Sequence, residues 1–225
     1  MDARLATIRT ALTAVAIPAD AAPMAAYMKG RFPFLGVKTP ARRAAAKPVI
    51  MASKQEPIDA VVALAHRLRA QPEREFHYVT SDLLRANQHR LRAEHLADLE
   101  RFVTTDSWWD TVDALASPTI GTMVRTHPEL LATLDDWIDA EDFWLARVAI
   151  IHQLRFGADT DGDRLFRYAL RRSEDQEFFI RKAIGWALRE YAKTDPSAVR
   201  AFVDRHGEDL SPLTLREATR QLGRT

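Results

Sequence analysis

The sequence predicts an all-α fold made of stacked pairs of short helices. Apolar residues recur every three or four positions, as in the segments around Ile58–Leu68 and Phe178–Leu188, and this spacing marks one face of an α-helix. Alternating runs typical of strands are absent, and no Asn-Gly or Asp-Gly pair joins two strand-like runs. Helix is therefore expected along almost the whole chain.

A repeat of about 35 residues is the third indication. The triplet Arg-x-Ala begins at Arg147, Arg181 and Arg216, at spacings of 34 and 35 residues. A period in the mid-thirties is typical of helical-pair solenoids. Ankyrin and tetratricopeptide consensus residues are missing, so the pattern favours a degenerate HEAT-like array. The alternative is chance, because the chain is rich in both Arg and Ala.

Proline positions suggest where the individual helices begin. Proline is favoured in the first turn of a helix, and seven prolines each open an amphipathic stretch: Pro40, Pro57, Pro72, Pro118, Pro128, Pro196 and Pro212. These starts predict roughly ten to fourteen short helices. Since no long linker interrupts them, residues 1–225 are expected to form a single domain.

Composition excludes several classes of protein. The chain has 225 residues with no cysteine, so it has no disulfide, thiol nucleophile, thiolate zinc site or iron–sulfur cluster. Its N-terminal segment predicts an amphipathic helix rather than a signal peptide, and no window is apolar enough for a membrane span. A cytoplasmic protein without a membrane partner is expected.

The net charge of +1 hides an uneven distribution. Residues 1–100 carry 15 basic and 10 acidic side chains, residues 101–140 carry 2 and 7, and residues 141–225 carry 15 and 14. If the repeat is real, equivalent positions line one face, which would present Arg43, Arg74, Arg147, Arg181 and Arg216. Asp113 lies 34 residues before Arg147, so the row would contain one carboxylate. Such a face suits a polyanion with one reactive position.

Three tryptophan clusters carry the candidate chemistry. Trp109 and Asp113 are i, i+4 neighbours and share a helix face. Trp144 lies three residues before Arg147, and Trp186 follows Gly185 in a strongly helical segment. Glycine there costs about 1 kcal/mol relative to alanine, which predicts a close backbone approach. The structural alternatives are that the tryptophans are core residues and that Asp113 is a surface charge or an ion-pair partner of Arg147.

Metal and nucleotide cofactors are not expected. The seven histidines include no His-Glu-x-x-His motif. Glycine-rich phosphate loops and the Gly-x-Ser-x-Gly nucleophile elbow are also missing.

The three clusters, in this order, resemble the AlkD family of bacterial DNA alkylation-repair glycosylases. The resemblance runs collinearly from about residue 20 to residue 220 and rests on six blocks: PMAAYMKGRFPFLGVKTPARR, PEREFHYVTSDLL, SWWDTVDALA, HPELL, FWLARVAI and EFFIRKAIGWALREYAKTDP.

This resemblance implies a HEAT-like solenoid whose concave basic face binds double-stranded DNA. It implies excision of cationic N3- and N7-alkylpurines, such as N3-methyladenine and N7-methylguanine, with the base left stacked. Asp113 would be the catalytic carboxylate, Trp109 and Trp186 would flank the deoxyribose, Arg147 would hold the DNA backbone, and Tyr27 would contact DNA. Charge and repeat position add Lys29, Arg43 and Lys182 as candidate DNA-binding residues.

The chemistry of these residues agrees with that implication. A cationic purine is a good leaving group, so a carboxylate that stabilises an oxocarbenium-like sugar can suffice. No lysine lies in the Asp113 segment, so a monofunctional glycosylase is expected. An enzyme that wraps a duplex is expected to act as a monomer. The alternatives are a non-catalytic DNA-binding HEAT-like protein and a protein-interaction scaffold.

Overall fold

The computed structural model describes residues 2–222, and the regular elements within this range are all helical. The all-α prediction is therefore confirmed. Short 3-10 turns join helices with these bounds: α1 (Ala3–Ala14), α2 (Pro18–Tyr27), α3 (Thr39–Ser53), α4 (Ile58–Arg69), α5 (Arg74–Ala86), α6 (Leu96–Thr104), α7 (Trp109–Leu115), α8 (Thr122–Thr126), α9 (Leu131–Trp137), α10 (Phe143–Ile151), α11 (Gly162–Arg171), α12 (Phe178–Tyr191), α13 (Pro196–His206) and α14 (Pro212–Ala218).

The described residues group into two compact units, one that ends at Asp98 and one that begins at Leu99. In the first unit α4 packs against α5, and α3 packs against α1 and α5. The apolar stripes of these helices supply its core, with Ile8, Leu64 and Leu83 fully buried. The predicted helical periodicity of this unit therefore corresponds to real buried faces.

A buried carboxylate fixes the loop between α2 and α3. Glu75 accepts hydrogen bonds from the backbone N–H groups of Leu35, Gly36 and Val37 at 2.9–3.0 Å. Gly36 has φ +91°, and a Cβ there would lie 2.2 Å from the carbonyl oxygen of Ile17. Only glycine fits this conformation and this approach, so the loop has one well-defined path.

In the second unit, α12 packs against both α10 and α14. Helix α10 is buried from Trp144 to Ile151, and its continuous apolar run reflects that central position. A Cβ on Gly185 would lie 2.6 Å from Cβ of Glu217 and 2.9 Å from the carbonyl oxygen of Thr214. The predicted close backbone approach at Gly185 is confirmed, and the neighbouring backbone belongs to α14.

Hydrogen bonds between helices of the second unit repeat the spacing seen in the sequence. The separation in sequence is 34 residues for Arg147 with Asp113 and for Arg125 with Asp159, 35 for Lys182 with Glu217, and 33 for Tyr168 with Asp135. Equivalent positions of successive helical pairs thus lie beside each other, as in stacked repeats.

Proline positions are partly as predicted. Pro40, Pro196 and Pro212 lie in the first turn of α3, α13 and α14. Pro118 does not open a helix, so that expectation is wrong. It lies in a π-helical stretch, Ala116–Gly121, that connects α7 to α8. A wider turn of this kind accommodates a residue without an N–H donor inside a helix.

Within residues 2–222, no single helix is long and apolar enough to cross a membrane. Helices α1 and α2 together have the length and composition of a span, but they meet at a bend of 103°.

Candidate functional site

Helix α7 places Trp109 and Asp113 on one side of the second unit. The residue before it, Trp108, has extended backbone with φ −159° and ψ 157°, so the helix begins at Trp109. Asp113 follows one turn later and therefore projects beside Trp109. The local spacing in the sequence thus translates directly into a shared indole–carboxylate face.

These two residues line an open groove of about 390 Å³. Its other side is formed mainly by α12, which contributes an exposed Phe178 together with the partly buried Trp186. The groove is lined by Trp109, Asp113, Arg147, Phe178, Phe179, Lys182, Trp186, Arg189 and Glu217. Five residues that the sequence singled out are therefore brought together here.

Arg147 forms a two-point ion pair with Asp113. Nε of Arg147 donates to Oδ1 of Asp113 and Nη2 donates to Oδ2, both at 2.8 Å. The third nitrogen, Nη1, donates to the carbonyl oxygen of Phe179 at 2.5 Å. Arg147 is only 3% exposed. Asp113 and Arg147 thus form an ion pair, which is one of the structural alternatives for Asp113. These three hydrogen bonds of the guanidinium all go to acceptors of the protein itself.

Burial and Arg147 shift the pKa of the Asp113 carboxyl in opposite directions. Burial raises its pKa above the ordinary value, while the hydrogen bonds and charge of Arg147 act in the opposite direction. Burial disfavours the ionised form, and a neighbouring cation favours it. Arg147 is therefore the group that keeps a carboxylate available in this partly dry groove.

An aromatic cluster supports the Arg147 end of the groove. The ring of Phe179 lies 5.0 Å from Trp108 and 5.0 Å from Trp144 between centroids, and it stacks parallel to Phe143 at 6.4 Å. These contacts fix Phe179, whose carbonyl accepts from Arg147. Trp144 is buried, so its role is packing, in line with the structural alternative for that tryptophan.

Glu217 joins two partly exposed cations of the groove, Lys182 and Arg189. Nζ of Lys182 donates to its Oε1 at 2.5 Å, and Nη1 of Arg189 donates to its Oε2. Both cations lower the pKa of the Glu217 carboxyl. Sequence reasoning missed Arg189, Glu217 and Phe178. Arg189 could have been found, because it lies three residues after Trp186 on the same helix.

Three expected DNA-binding residues belong to the first unit. Tyr27, at the end of α2, is 68% exposed. Lys29 is exposed in the turn that follows, with φ +59°. Arg43 is exposed on α3, and its Nε lies 3.6 Å from Oδ1 of Asp82. All three are accessible to a ligand in solution.

Arg74, expected to line the arginine face, is not on the surface of this unit, so that expectation is wrong. Arg74 is completely buried, with its guanidinium 3.7 Å from the ring centroid of Phe32. A position defined by repeat spacing alone does not specify which way a long side chain turns, and here the aromatic ring holds it inside.

A carboxylate–histidine cluster also lies in the first unit. The ligand atoms of Asp59, Glu94 and His95 lie within 4.8 Å of one another. The Nη2 atom of Arg92 donates to both carboxylates, at 2.7 Å to Asp59 and 2.6 Å to Glu94. Arg92 therefore bridges the two acids, and the cluster is an ion-pair network.

The fold and the groove define a helical-repeat protein with a largely buried carboxylate–arginine pair beside partly buried indoles. A family model described as DNA alkylation repair enzyme matches residues 8–222. The chain belongs to this family. No curated protein matches the sequence.

Two solved structures are similar to the chain. One is described as a predicted DNA alkylation repair enzyme from Enterococcus faecalis, with 35% identity, a TM-score of 0.86, and coverage of 92% of this chain and 97% of that one. The other is AlkD2 from Streptococcus mutans, with 16% identity, a TM-score of 0.63, and coverage of 79% and 88%. The second likeness supports the AlkD-like helical-repeat fold.

Proposed function

We propose that the protein is a monofunctional DNA glycosylase that hydrolyses the N-glycosidic bond of cationic alkylpurines in duplex DNA. Membership of the alkylation-repair family supplies the general role. The observation that carries the specific proposal is the groove in which Asp113, clamped by Arg147, lies among Trp109 and Trp186.

The carboxylate of Asp113 acts on the sugar. Alkylation at N3 or N7 gives the purine a positive charge, so the base leaves without a strong general acid. Positive charge then develops at C1′ as the bond breaks, as in other glycoside cleavages. A preorganised carboxylate in a partly dry groove stabilises this charge and orients the attacking water.

The indoles of Trp109 and Trp186 bind the same sugar. Their faces attract a cationic centre with roughly 0.5–2 kcal/mol each. The groove is open to solvent rather than enclosed, which supports recognition of the sugar–phosphate edge without flipping the base. The base therefore remains stacked during excision in this proposal.

Arg147 positions Asp113. Its fork holds both carboxylate oxygens and favours the ionised form, which partly offsets the rise in pKa that burial causes. Because Arg147 is only 3% exposed, a phosphate-binding role for it requires the guanidinium to become more accessible when DNA binds. Tyr27, Lys29 and Arg43, all exposed, are proposed to bind DNA from the first unit, and Lys182 from the groove.

Release of free base tests the proposal. The protein is incubated with a duplex that contains N7-methylguanine, in buffer with a chelator, and free base is measured by chromatography. Release well above the spontaneous rate is expected, without strand cleavage and without added metal. Release no faster than in buffer alone contradicts the glycosylase proposal and favours the alternative, a non-catalytic DNA-binding protein.

A further inference from the structure

Glu217 pairs with two partly exposed cations of the groove, Lys182 and Arg189, at once. In the described part of the chain, Lys182 and Arg189 each donate one hydrogen bond, and both go to this carboxylate. Glu217 itself is only 7% exposed. The two groove cations that face solvent are thus already paired inside the protein.

Helix packing fixes Glu217 at this place. Its Cβ lies against Gly185, where any larger residue on α12 would overlap it. Nearby, Oγ1 of Thr214 donates to the carbonyl oxygen of Arg181 at 3.1 Å and ties α14 to α12. The backbone and Cβ of Glu217 are therefore held beside the two cations by the packing of α14 against α12.

We propose that Glu217 is an internal competitor of DNA phosphates, which weakens binding of the groove to the backbone of undamaged DNA. The inference rests on the proposed DNA-binding function. An ammonium has three donors and a guanidinium five, so Lys182 and Arg189 retain donors for a phosphate. That phosphate must nevertheless share them with Glu217 and lie close to a like charge.

The functional consequence is a lower affinity of the protein for undamaged DNA. Phosphate contacts dominate non-specific binding and make it independent of base identity. A repair protein meets mostly undamaged DNA, and a weaker backbone contact shortens its stay at each position. Glu217 thereby sets the balance between holding DNA and leaving it.

Binding of an undamaged duplex tests the proposal directly. Fluorescence anisotropy gives Kd for the parent protein and Glu217→Gln between about 50 and 200 mM salt. Glu217→Gln is expected to bind roughly three- to thirtyfold more tightly at low salt. Its plot of log K against log salt is expected to be steeper by about one to two. Unchanged affinity and slope would overturn the proposal.

Two further variants separate this effect from net charge and from folding. Asp139→Asn removes the same charge and also breaks an arginine pair, because Arg171 donates to Asp139 at 2.6 and 3.0 Å. It lies outside the residues that line the groove and is expected to change Kd less than about twofold. A gain equal to that of Glu217→Gln would overturn the proposal. Glu217→Ala keeps the Cβ beside Gly185 and should reproduce the tighter binding.

The effect must also depend on the two cations. In a Lys182→Gln/Arg189→Gln background, Glu217→Gln is expected to lose most of its gain in affinity and in salt slope, because only the relief of repulsion between the carboxylate and the phosphate remains. Persistence of the full gain there would overturn the proposal. Because the duplex is undamaged, the result is independent of base release, so the glycosylase proposal can fail while the competition by Glu217 stands.

Discussion

Asp113 and Arg147 form a two-point ion pair, with both nitrogen–oxygen distances at 2.8 Å, on the floor of the groove. The two residues lie 34 positions apart in sequence, and their ion pair joins α7 to α10. The ion pair holds the carboxylate in a fixed orientation and favours its ionised form, whereas burial raises its pKa.

Asp113→Asn is expected to reduce excision of N7-methylguanine by at least about 100-fold, because it removes the charge that stabilises the sugar cation. Binding to undamaged duplex is expected to be as tight as in the parent or tighter, since a negative charge near phosphates is lost. Single-turnover excision and anisotropy measure the two effects. Excision at the parent rate contradicts a catalytic role for Asp113.

Arg147→Lys is expected to slow excision at least about tenfold, because lysine cannot reproduce the planar fork. Arg147 lowers the pKa of the buried Asp113 carboxyl, so weakening that contact raises this pKa. The acid limb of the pH–rate profile should therefore move to higher pH, since the ionised carboxylate is the active form.

The salt dependence of Arg147→Ala, which removes the positive charge, tests the role implied by the family resemblance. If Arg147 only positions Asp113, the slope of log K against log salt remains that of the parent. A slope reduced by about one would mean that Arg147 leaves Asp113 and contacts a phosphate in the complex.

Trp186→Ala is expected to lower the single-turnover rate by roughly 2- to 30-fold through loss of cation–π attraction to the sugar. Trp186→Phe is the matched control, because it retains an aromatic face and should lose less. Trp144→Phe, in the buried cluster, is expected to alter thermal stability rather than excision. Equal rates for Trp186→Ala and the parent would remove the indole from the mechanism.

Gly185→Ala is expected to destabilise the fold by about 1–3 kcal/mol. The new Cβ would overlap Cβ of Glu217 and the carbonyl oxygen of Thr214 at 2.6 and 2.9 Å. Gly207→Ala is the control, because its Cβ would meet only Leu215, at an ordinary 3.7 Å. Urea unfolding measures both, and a stability gain at Gly185 would contradict the close approach of α12 and α14.

His152 makes stability depend on pH. Complete burial lowers its pKa from 6.5 to about 4. As pH falls, the histidine of the unfolded chain takes up a proton near pH 6.5, whereas the buried His152 of the folded protein stays neutral until about pH 4. The free energy of unfolding therefore decreases as pH falls from about 6.5 to 4, and this contribution is fully present above that range. The loss at the acid end is about 3 kcal/mol. His152→Asn should lose less free energy of unfolding over this range, and urea titrations at several pH values measure the difference.

Much of the site could be predicted because its parts are local. Trp109 with Asp113 on α7, and Lys182 with Trp186 on α12, are neighbours through helical spacing alone. The buried direction of Arg74 could not be predicted in the same way. Repeat spacing places a Cα, whereas the ring of Phe32 decides where the long side chain turns.

The sequence by itself determined that the chain is helical, that arginines recur about every 35 residues, and that one carboxylate, Asp113, takes the place of an arginine in that row. Only the tertiary structure decided how the charges pair. Asp113 meets Arg147, and Glu217 meets both Lys182 and Arg189. Such pairs form across helices, so they depend on helix separation and side-chain rotamers. The contact at Gly185 sets the separation of α12 and α14, and helical periodicity carries no information about it.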